Sequence, residues 1–169
     1  MSGHLVKITK LGDDRMRLVP VTSGDAEVYS ELRNGENTYK WFFSEKKYSQ
    51  NEVMAWIEGS ISKGDINLFG YVDDRLVGAV SLYNILHNPY WQADIGRVMV
   101  VEDQRGRGYG KMLIREASKL AREKGLETLA AYIKENNLSS RRAFESVGYK
   151  DTLNGSNGVL EYLAPPNFI

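Results

Sequence analysis

The twenty residues from Asp94 to Leu113, DIGRVMVVEDQRGRGYGKML, decide the fold of this chain. They begin as a hydrophobic strand, continue through a charged turn, and end in a glycine-rich loop at the start of a helix. Glycine occupies every second position from Gly106 to Gly110, which lets the backbone approach a ligand closely. The helix that follows adds unpaired N–H groups and the positive end of its dipole, and Arg105 and Arg107 add charge. The stretch therefore predicts a binding site for a pyrophosphate.

The composition limits the kinds of protein that this chain can be. Its 169 residues, 42% of them hydrophobic, fit one domain, which we place at residues 1–169. The 22 basic and 22 acidic residues cancel, so no nucleic-acid or membrane partner is predicted. There is no cysteine, and His4 and His87 are too few for a metal cluster, so no metal is expected. Because no apolar run could span a bilayer and MSGHLVKITK lacks the apolar core of a signal peptide, we expect a cytoplasmic protein.

Hydrophobic periodicity and turn residues predict the order of the secondary structure elements. We expect a hairpin of Leu5–Thr9 and Arg15–Val21, a helix to about Arg33, a helix capped by Ser49, strands at Ile66–Val72, Arg75–Leu86 and Trp91–Val101, a helix at Tyr109–Lys124, a strand at Thr128–Lys134, a helix from a Ser139 cap to Val147, and a final hairpin of Tyr149–Asp151 and Val159–Leu163. The strand Thr128–Lys134 is expected to be buried on both faces. The sequence thus predicts an α/β domain in which helices cover a mixed sheet. A homodimer could form through a sheet edge or the final hairpin.

Three other kinds of glycine-rich loop fit the sequence poorly. A P-loop requires Gly-Lys-Ser/Thr, but Met112 follows Gly110-Lys111, so no hydroxyl is available for a metal. A dinucleotide-binding loop has the spacing Gly-x-Gly-x-x-Gly at the start of a βαβ unit, and this loop has Gly-x-Gly-x-Gly. An arginine–glycine tract that binds RNA would be longer and repetitive. A glycine-rich turn without any ligand stays open on the evidence of the loop alone.

Two segments in this order resemble the GNAT family of N-acetyltransferases. Arg105–Gly110 resembles the family's Gln/Arg-x-x-Gly-x-Gly/Ala motif for acetyl-CoA, and Asn137–Tyr149 resembles its Asn-x-x-Ala/Ser…Tyr-x-x-x-Gly-Phe/Tyr segment. The resemblance is good over residues 66–163 and looser in the N-terminal helices. It implies a single GNAT-like domain with a mixed twisted sheet, a central splayed pair of parallel strands and flanking helices.

The resemblance also implies how acetyl-CoA, as co-substrate, would bind. The cofactor would lie in a cleft where Ile95–Val101 and Thr128–Lys134 splay apart, with a backbone amide near Val100 polarising the thioester carbonyl. The implied cofactor-binding residues are Met99, Val100, Val101, Arg105, Gly106, Arg107, Gly108, Tyr109, Gly110, Asn137 and Phe144. A small-molecule amine would attack the thioester directly, without a covalent enzyme intermediate.

The catalytic acid and base are less well marked. Many members of the family carry a tyrosine that protonates the leaving thiolate where this chain has Phe144, which cannot donate a proton. Tyr132, Tyr83 or a water could replace it, or the thiolate could leave unassisted, since free thiols have a pKa of about 8.5. Three residues are candidates for the general base, beside a water relay. They are Asp94, Glu135 and His87.

The acceptor must be inferred from the N-terminal half of the chain. The pattern Arg-Asn-x-x-Asn-Thr-x-x-Trp at residues 33–41, together with Glu135-Asn136-Asn137, resembles the acetyltransferases of pseudaminic acid biosynthesis, which modify a nucleotide-linked amino sugar. Arg33 could pair with a phosphate and Trp41 could stack on a ring. Those enzymes often carry a histidine where this chain has Glu52-Val53. Two alternatives are an acetyltransferase for protein N-termini, such as those of ribosomal proteins, and a non-catalytic module that binds acyl-CoA.

Overall fold

A computed structural model of the chain describes residues 16–87 and 91–165, which form seven strands and four helices. The strands are β1 (Met16–Pro20), β2 (Ile66–Val72), β3 (Arg75–Leu86), β4 (Gln92–Val100), β5 (Thr128–Lys134), β6 (Lys150–Asp151) and β7 (Val159–Leu163). The helices are α1 (Ala26–Asn34), α2 (Gln50–Ser62), α3 (Tyr109–Glu123) and α4 (Leu138–Ser146). Short single-turn segments precede α1, α2 and α3. None of the helices in the described ranges is long and apolar enough to cross a membrane.

The strands form one mixed sheet in the order β1-β2-β3-β4-β5-β7-β6. Every neighbouring pair is antiparallel except the central pair β4 and β5, which is parallel. The pairing of β4 with β5 begins at Gln92 opposite Thr128 and ends at Asp94 opposite Ala130. Both strands continue beyond this point, so the sheet opens between them. The predicted fold class, with its splayed parallel pair, is confirmed.

Helices cover the two faces of the sheet with separate hydrophobic clusters. Leu113, Ile114, Ala117 and Ala121 of α3 pack with Phe144 of α4 against one face. On the other face, Val53 and Ile57 of α2 pack with Tyr29 of α1 against Phe69 and Met99. Because side chains alternate along a strand, β2, β3 and β4 each contribute to both clusters. A ligand in the gap between β4 and β5 can therefore be reached from either side of the sheet.

An irregularity in β4 changes which side chains face the acceptor side. Ala79 lies opposite Met99 whereas Ser81 lies opposite Gly96, so β4 has one more residue than β3 over this interval. Arg97 lies in this bulge and has a positive φ of 52°. Its guanidinium lies 4.1 Å from the centre of the Tyr83 ring and 3.4 Å from the Asp65 carboxylate. The bulge thus places a cation beside the opening in the sheet.

Several boundaries differ from the sequence-based prediction. The capping residue of α4 is Asn137, whose Oδ1 accepts a hydrogen bond from the Ser140 amide, so the prediction of a Ser139 cap was wrong. Strand β5 is buried on one face only, because Tyr132 on the other face is 42% exposed. The predicted strand Leu5–Thr9 lies outside the described residues. The homodimer stays a prediction.

Candidate active site

A cavity of about 1000 Å³ occupies the opening between β4 and β5. It runs from the glycine loop at the start of α3 to the last paired residues of the two strands, Asp94 and Ala130. Side chains of α4 and of the segment between α1 and α2, including Trp41, Phe42 and Phe43, also line it.

The glycine loop forms the phosphate end of this cavity. Gly106 and Gly108 have positive φ angles of 73° and 81°, and Gly108 is the residue that caps α3. A Cβ atom at either glycine would meet no atom within 4 Å, so both residues border open space. Tyr109 and Gly110 also line the cavity, with the unpaired N–H groups of the first helical turn beside them. This arrangement suits a pyrophosphate, as predicted for the loop.

The two loop arginines lie in different places. Arg105 lines the cavity, and its Nη2 donates to the Thr38 hydroxyl at 2.8 Å and lies 3.5 Å from the Glu102 carboxylate. A weaker bond of 3.4 Å joins its Nη1 to the Asn37 carbonyl. Arg107, although described, is not among the lining residues. Of the two arginines, Arg105 is therefore the one placed to contact a phosphate, and it is already tied to the segment before α2.

One residue at the end of β4 presents its backbone amide and carbonyl to the opening. The Val101 amide donates to the Val77 carbonyl at 2.9 Å, so it faces β3 and is not free for a cofactor. Since backbone polar groups of successive residues point to opposite edges of a strand, the amide and carbonyl of Val100 face the opening. Met99 and Val100 line the cavity and Val101 does not. The expectation for Val101 thus needs correction, whereas Val100 has the orientation required of an oxyanion donor.

Asn137 and Phe144 lie across the cavity from the glycine loop. The Asn137 Oδ1 is used as the cap of α4, which leaves the Nδ2 donor for a ligand. Phe144 is 2% exposed and packs edge-on against Tyr149, with ring centres 5.1 Å apart. Tyr149 in turn bonds to the Ser118 hydroxyl at 2.8 Å, and burial strongly raises the pKa of Tyr149. Tyr149 therefore holds α4 on α3.

Asp94 is the carboxylate at the centre of the site. Alternation along β4 buries Ala93 and Ile95 under α3 and directs Asp94 to the face covered by α1 and α2. Its Oδ2 accepts a hydrogen bond from the Asn84 amide at 2.7 Å. Burial raises the pKa of Asp94 above its usual value, and the hydrogen bond from Asn84 opposes that shift. A carboxylate with a raised pKa is a stronger base than an exposed one.

Two tyrosines lie near Asp94 and keep their protons. Tyr83 is paired with Asp94 across the strands, and burial together with the Asp94 charge raises the pKa of Tyr83. Tyr132 on β5 donates to the Glu161 carboxylate at 3.2 Å, and burial, Asp94 and Glu161 all raise the pKa of Tyr132. Both side chains line the cavity. Either hydroxyl is in the protonated form that an acid catalyst requires.

The other two base candidates lie away from the cavity. Glu135 is not among the lining residues, and its backbone carbonyl accepts a hydrogen bond from Arg141 at 3.0 Å. His87 is exposed and packs edge-on against Trp91, with ring centres 5.2 Å apart. Their assignment as bases stays a prediction, whereas Asp94 lines the cavity. Both follow the ends of strands, and local sequence could not show on which side of the opening they emerge.

The two acceptor candidates are also separated. Trp41 lines the main cavity, as expected for a ring that stacks on a ligand. Arg33 lines a smaller adjoining cavity, where its guanidinium lies 3.7 Å from the centre of the Phe42 ring. The contact of Arg33 with an acceptor therefore stays a prediction, now for a cavity that adjoins the main one. Asn84 and Thr38 carry no signal in the sequence, because their contacts with Asp94 and Arg105 depend on strand register and loop path.

Comparisons with known proteins agree with this architecture. The model of the acetyltransferase (GNAT) family matches residues 28–149. A spermidine N(1)-acetyltransferase of Thermoplasma acidophilum is 28% identical over 138 residues, which are 80% of each chain. The spermidine N-acetyltransferase of Vibrio cholerae, solved with CoA and spermine, has a TM-score of 0.76 at 18% identity and covers 90% of this chain and 96% of its own. The protein yncA of Salmonella typhimurium, solved with its cofactor acetyl-CoA, has a TM-score of 0.69 at 20% identity, with coverages of 88% and 92%.

The family model covers residues 28–149. This range includes the glycine loop at the start of α3 and the two parallel strands that open beside it. Among the described residues, no group of three or more His, Cys, Asp or Glu side chains could hold a metal. The cavity, with Gly106, Gly108 and the Val100 backbone along it, fits an extended acyl-CoA. The chain belongs to the acetyltransferase (GNAT) family and is an acetyl-CoA-dependent N-acetyltransferase.

Proposed function

We propose that this enzyme acetylates a primary amine of a small molecule and that Asp94 takes the proton of that amine. The observation that carries the proposal is the position of Asp94. It is partly buried, lies at the last paired position of β4 and β5, and lines the cavity from the α1 and α2 side. Acetyl-CoA supplies an activated acetyl thioester. The amine would approach from the side opposite the glycine loop.

Different residues bind the cofactor, polarise the thioester and accept the proton of the amine. Gly106, Gly108 and Arg105 hold the pyrophosphate, and Asn137 contacts the cofactor arm through its Nδ2. The Val100 amide orients and polarises the thioester carbonyl. Asp94 accepts the proton that an amine with a pKa near 10 must lose before it can attack.

A tyrosine replaces the acid that Phe144 cannot provide. We propose Tyr132 or Tyr83, because both are protonated at neutral pH and line the cavity near Asp94. Tyr132 is the more exposed of the two and already donates to Glu161, so its hydroxyl has to turn in order to serve the thiolate. A thiol with a pKa of about 8.5 needs only modest assistance.

For the acceptor itself, we propose a nucleotide-linked amino sugar. Trp41, Phe42 and Phe43 form an aromatic wall at the acceptor end of the cavity. Flat apolar rings of this kind suit the faces of sugars and bases. A protein N-terminus would instead require an open acidic groove, and Asp94 is the only carboxylate residue among those that line the cavity in the described chain.

A polyamine is the second candidate, favoured by the Thermoplasma acidophilum relative and by one local feature. Asp94 and Glu161 both raise the pKa of Tyr132, so two carboxylates lie near one hydroxyl on the acceptor side. A chain with two ammonium groups could contact one carboxylate with each group.

Release of free CoA thiol over a panel of amines tests the proposal. The panel contains nucleotide-linked amino sugars, spermidine and spermine, and peptides with free N-termini, and each is measured with the wild type and with Asp94→Asn. We expect turnover with an amino sugar and a loss of about 100-fold or more in the variant. Turnover confined to spermidine would replace the sugar with the second candidate. Turnover confined to peptides, or an Asp94→Asn variant with wild-type rates, would overturn the proposal.

A further inference from the structure

A second cavity of about 290 Å³ lies beside the acceptor end of the main cavity, between α1, α2 and the segment that joins them. Its walls are largely aromatic and include Tyr29, Phe42, Tyr48 and Trp56. Phe42, Phe43 and Arg97 line both cavities. The two cavities are therefore neighbours that share these walls.

Arg33 lines this second cavity with unused hydrogen-bonding capacity. The residue is 6% exposed, and its Nη2 donates to the Ser44 hydroxyl at 3.0 Å. Its Nη1 is buried and has no hydrogen-bond partner among the described residues. Buried polar groups are nearly always hydrogen-bonded, so Arg33 Nη1 keeps a donor for a ligand.

The charges around the cavity leave one cation uncompensated. Arg97 has a carboxylate partner in Asp65 at 3.4 Å, and Glu52 has a cation partner in Lys46 at 2.9 Å. Arg33, the remaining charged residue of this lining, has no ion pair among the described residues. It stacks on Phe42 at 3.7 Å and lies 5.2 Å from the centre of the Tyr48 ring. Stacking on rings partly offsets the loss of hydration but supplies no countercharge.

We propose that this second cavity binds an oxyanion of the acceptor, a carboxylate or a phosphate group, through the Arg33 guanidinium. The fork of donors on a guanidinium matches both groups geometrically. The volume lies at the lower end of ligand pockets, which run from about 300 to 1000 Å³, so it holds one oxyanion and a short linker rather than a nucleoside. Only the link to the acceptor rests on the proposed function; binding of the oxyanion does not.

Binding is tested without any amine but with saturating CoA, which occupies the glycine loop so that added phosphate cannot bind there. A failure of the proposed acceptor therefore leaves the test intact. Inorganic phosphate and propionate are titrated at constant ionic strength, with propionamide as the neutral analogue of propionate. The readouts are the thermal midpoint and the NMR signal of isotope-labelled arginine side chains. We expect saturable changes with the two anions in the wild type, none with propionamide, and none with either anion in Arg33→Met.

Two further variants keep this test decisive. Arg17→Met is the matched control, because Arg17 is an arginine that also stacks on a ring, that of Tyr71, but is paired with Asp74 at the surface. It should retain the full response to anions. Ser44→Glu places a carboxylate beside Arg33 from the exposed position of Ser44, so it should raise the thermal midpoint and abolish the response. Responses that persist in Arg33→Met and Ser44→Glu, or no response in the wild type, would overturn the proposal.

Turnover distinguishes the two sources of the oxyanion. γ-Aminobutyrate is compared with butylamine for the carboxylate, and phosphoethanolamine with ethanolamine for the phosphate. We expect kcat/KM to be higher by roughly tenfold or more for at least one anionic member, and this preference to disappear in Arg33→Met. Amines that turn over with no anionic preference would overturn the oxyanion subsite. Anion binding without turnover of any amine would support the subsite and reject the proposed function.

Discussion

Asn84 donates its side-chain amide hydrogen to Asp94 Oδ2 over 2.7 Å, across the ladder between β3 and β4. The ladder is irregular between Tyr83 and Leu86, and Asn84 has a positive φ of 51°. This irregularity lets Asn84 reach the same face as Asp94, although it follows Tyr83 directly in the strand. The hydrogen bond fixes the carboxylate at the point where the sheet opens and limits the rise of its pKa.

The Asn84–Asp94 bond predicts how the rate depends on pH. Asp94 accepts a proton only when ionised, so activity should fall as pH drops through the raised pKa of Asp94. Asn84→Ala removes a donor that lowers this pKa, so the acidic limb of kcat/KM should move to higher pH. The measurement is a pH–rate profile, with Asn51→Ala on the exposed face of α2 as the control. An unchanged limb in Asn84→Ala would mean that Asp94 does not control the rate.

The same raised pKa predicts a cost in stability. The folded state holds the Asp94 proton to higher pH than the unfolded state does, so stability falls as pH rises through the interval between the two pKa values. Asp94→Asn keeps a similar shape but cannot ionise. We expect its thermal midpoint to exceed that of the wild type at neutral pH, and the difference to vanish below the usual pKa of an aspartate. A variant that is less stable than the wild type at neutral pH would contradict this.

The glycine loop predicts a selective loss of cofactor binding. In Gly108→Glu a charged side chain enters the space where the pyrophosphate is expected, so CoA affinity should fall by about tenfold or more. Gly125→Glu is a matched control, because Gly125 has a similar φ of 79°, has open space at its Cβ and ends α3 outside the cavity. Calorimetric titration with CoA compares the two. Equal losses of CoA affinity in both variants would show that backbone strain, and not a clash with the pyrophosphate, causes the loss.

The contact between Arg105 and Thr38 predicts that its removal increases the affinity for CoA. If Arg105 turns towards the pyrophosphate, it must give up its 2.8 Å bond to the Thr38 hydroxyl. Thr38→Val removes that bond while preserving the shape of the side chain, so CoA should bind about twofold to tenfold more tightly. Asn37→Ala, which removes the neighbouring bond to Glu102 instead, is the control for disturbance of the segment. Weaker CoA binding in Thr38→Val would show that the bond helps to hold Arg105 in its binding position.

Asn137 has two roles that substitutions can separate. Its Oδ1 caps α4 through the Ser140 amide, and its Nδ2 is the group left for the cofactor. Serine caps as well as asparagine does, so Asn137→Ser should keep the stability and lose CoA affinity. Asn137→Ala should lose both, with a decrease of about 1 kcal/mol in the free energy of unfolding. Urea denaturation and CoA titration of the pair test this, and full CoA affinity in Asn137→Ser would remove the residue from the cofactor site.

Local sequence was sufficient for most of the elements and for the phosphate end of the site. The glycine loop and α3 depend on residues within a few positions of one another, so their conformation follows from backbone freedom at glycine and from helical periodicity. The second motif, at Asn137–Tyr149, is equally local. Strand β5 was the weaker prediction, because a short apolar run does not show that Tyr132 faces a cavity instead of a core.

The sequence by itself determined the order of strands and helices, the glycine-rich loop predicted to bind the pyrophosphate and, through two motifs, the family. Only the tertiary structure decided that, among the base candidates, it is Asp94 that lines the opening in the sheet. It also showed that Arg33 lines the second cavity and not the main one. The physical reason is that backbone preferences act over a few residues, whereas the convergence of side chains depends on strand register, bulges and helix packing between segments far apart in the chain.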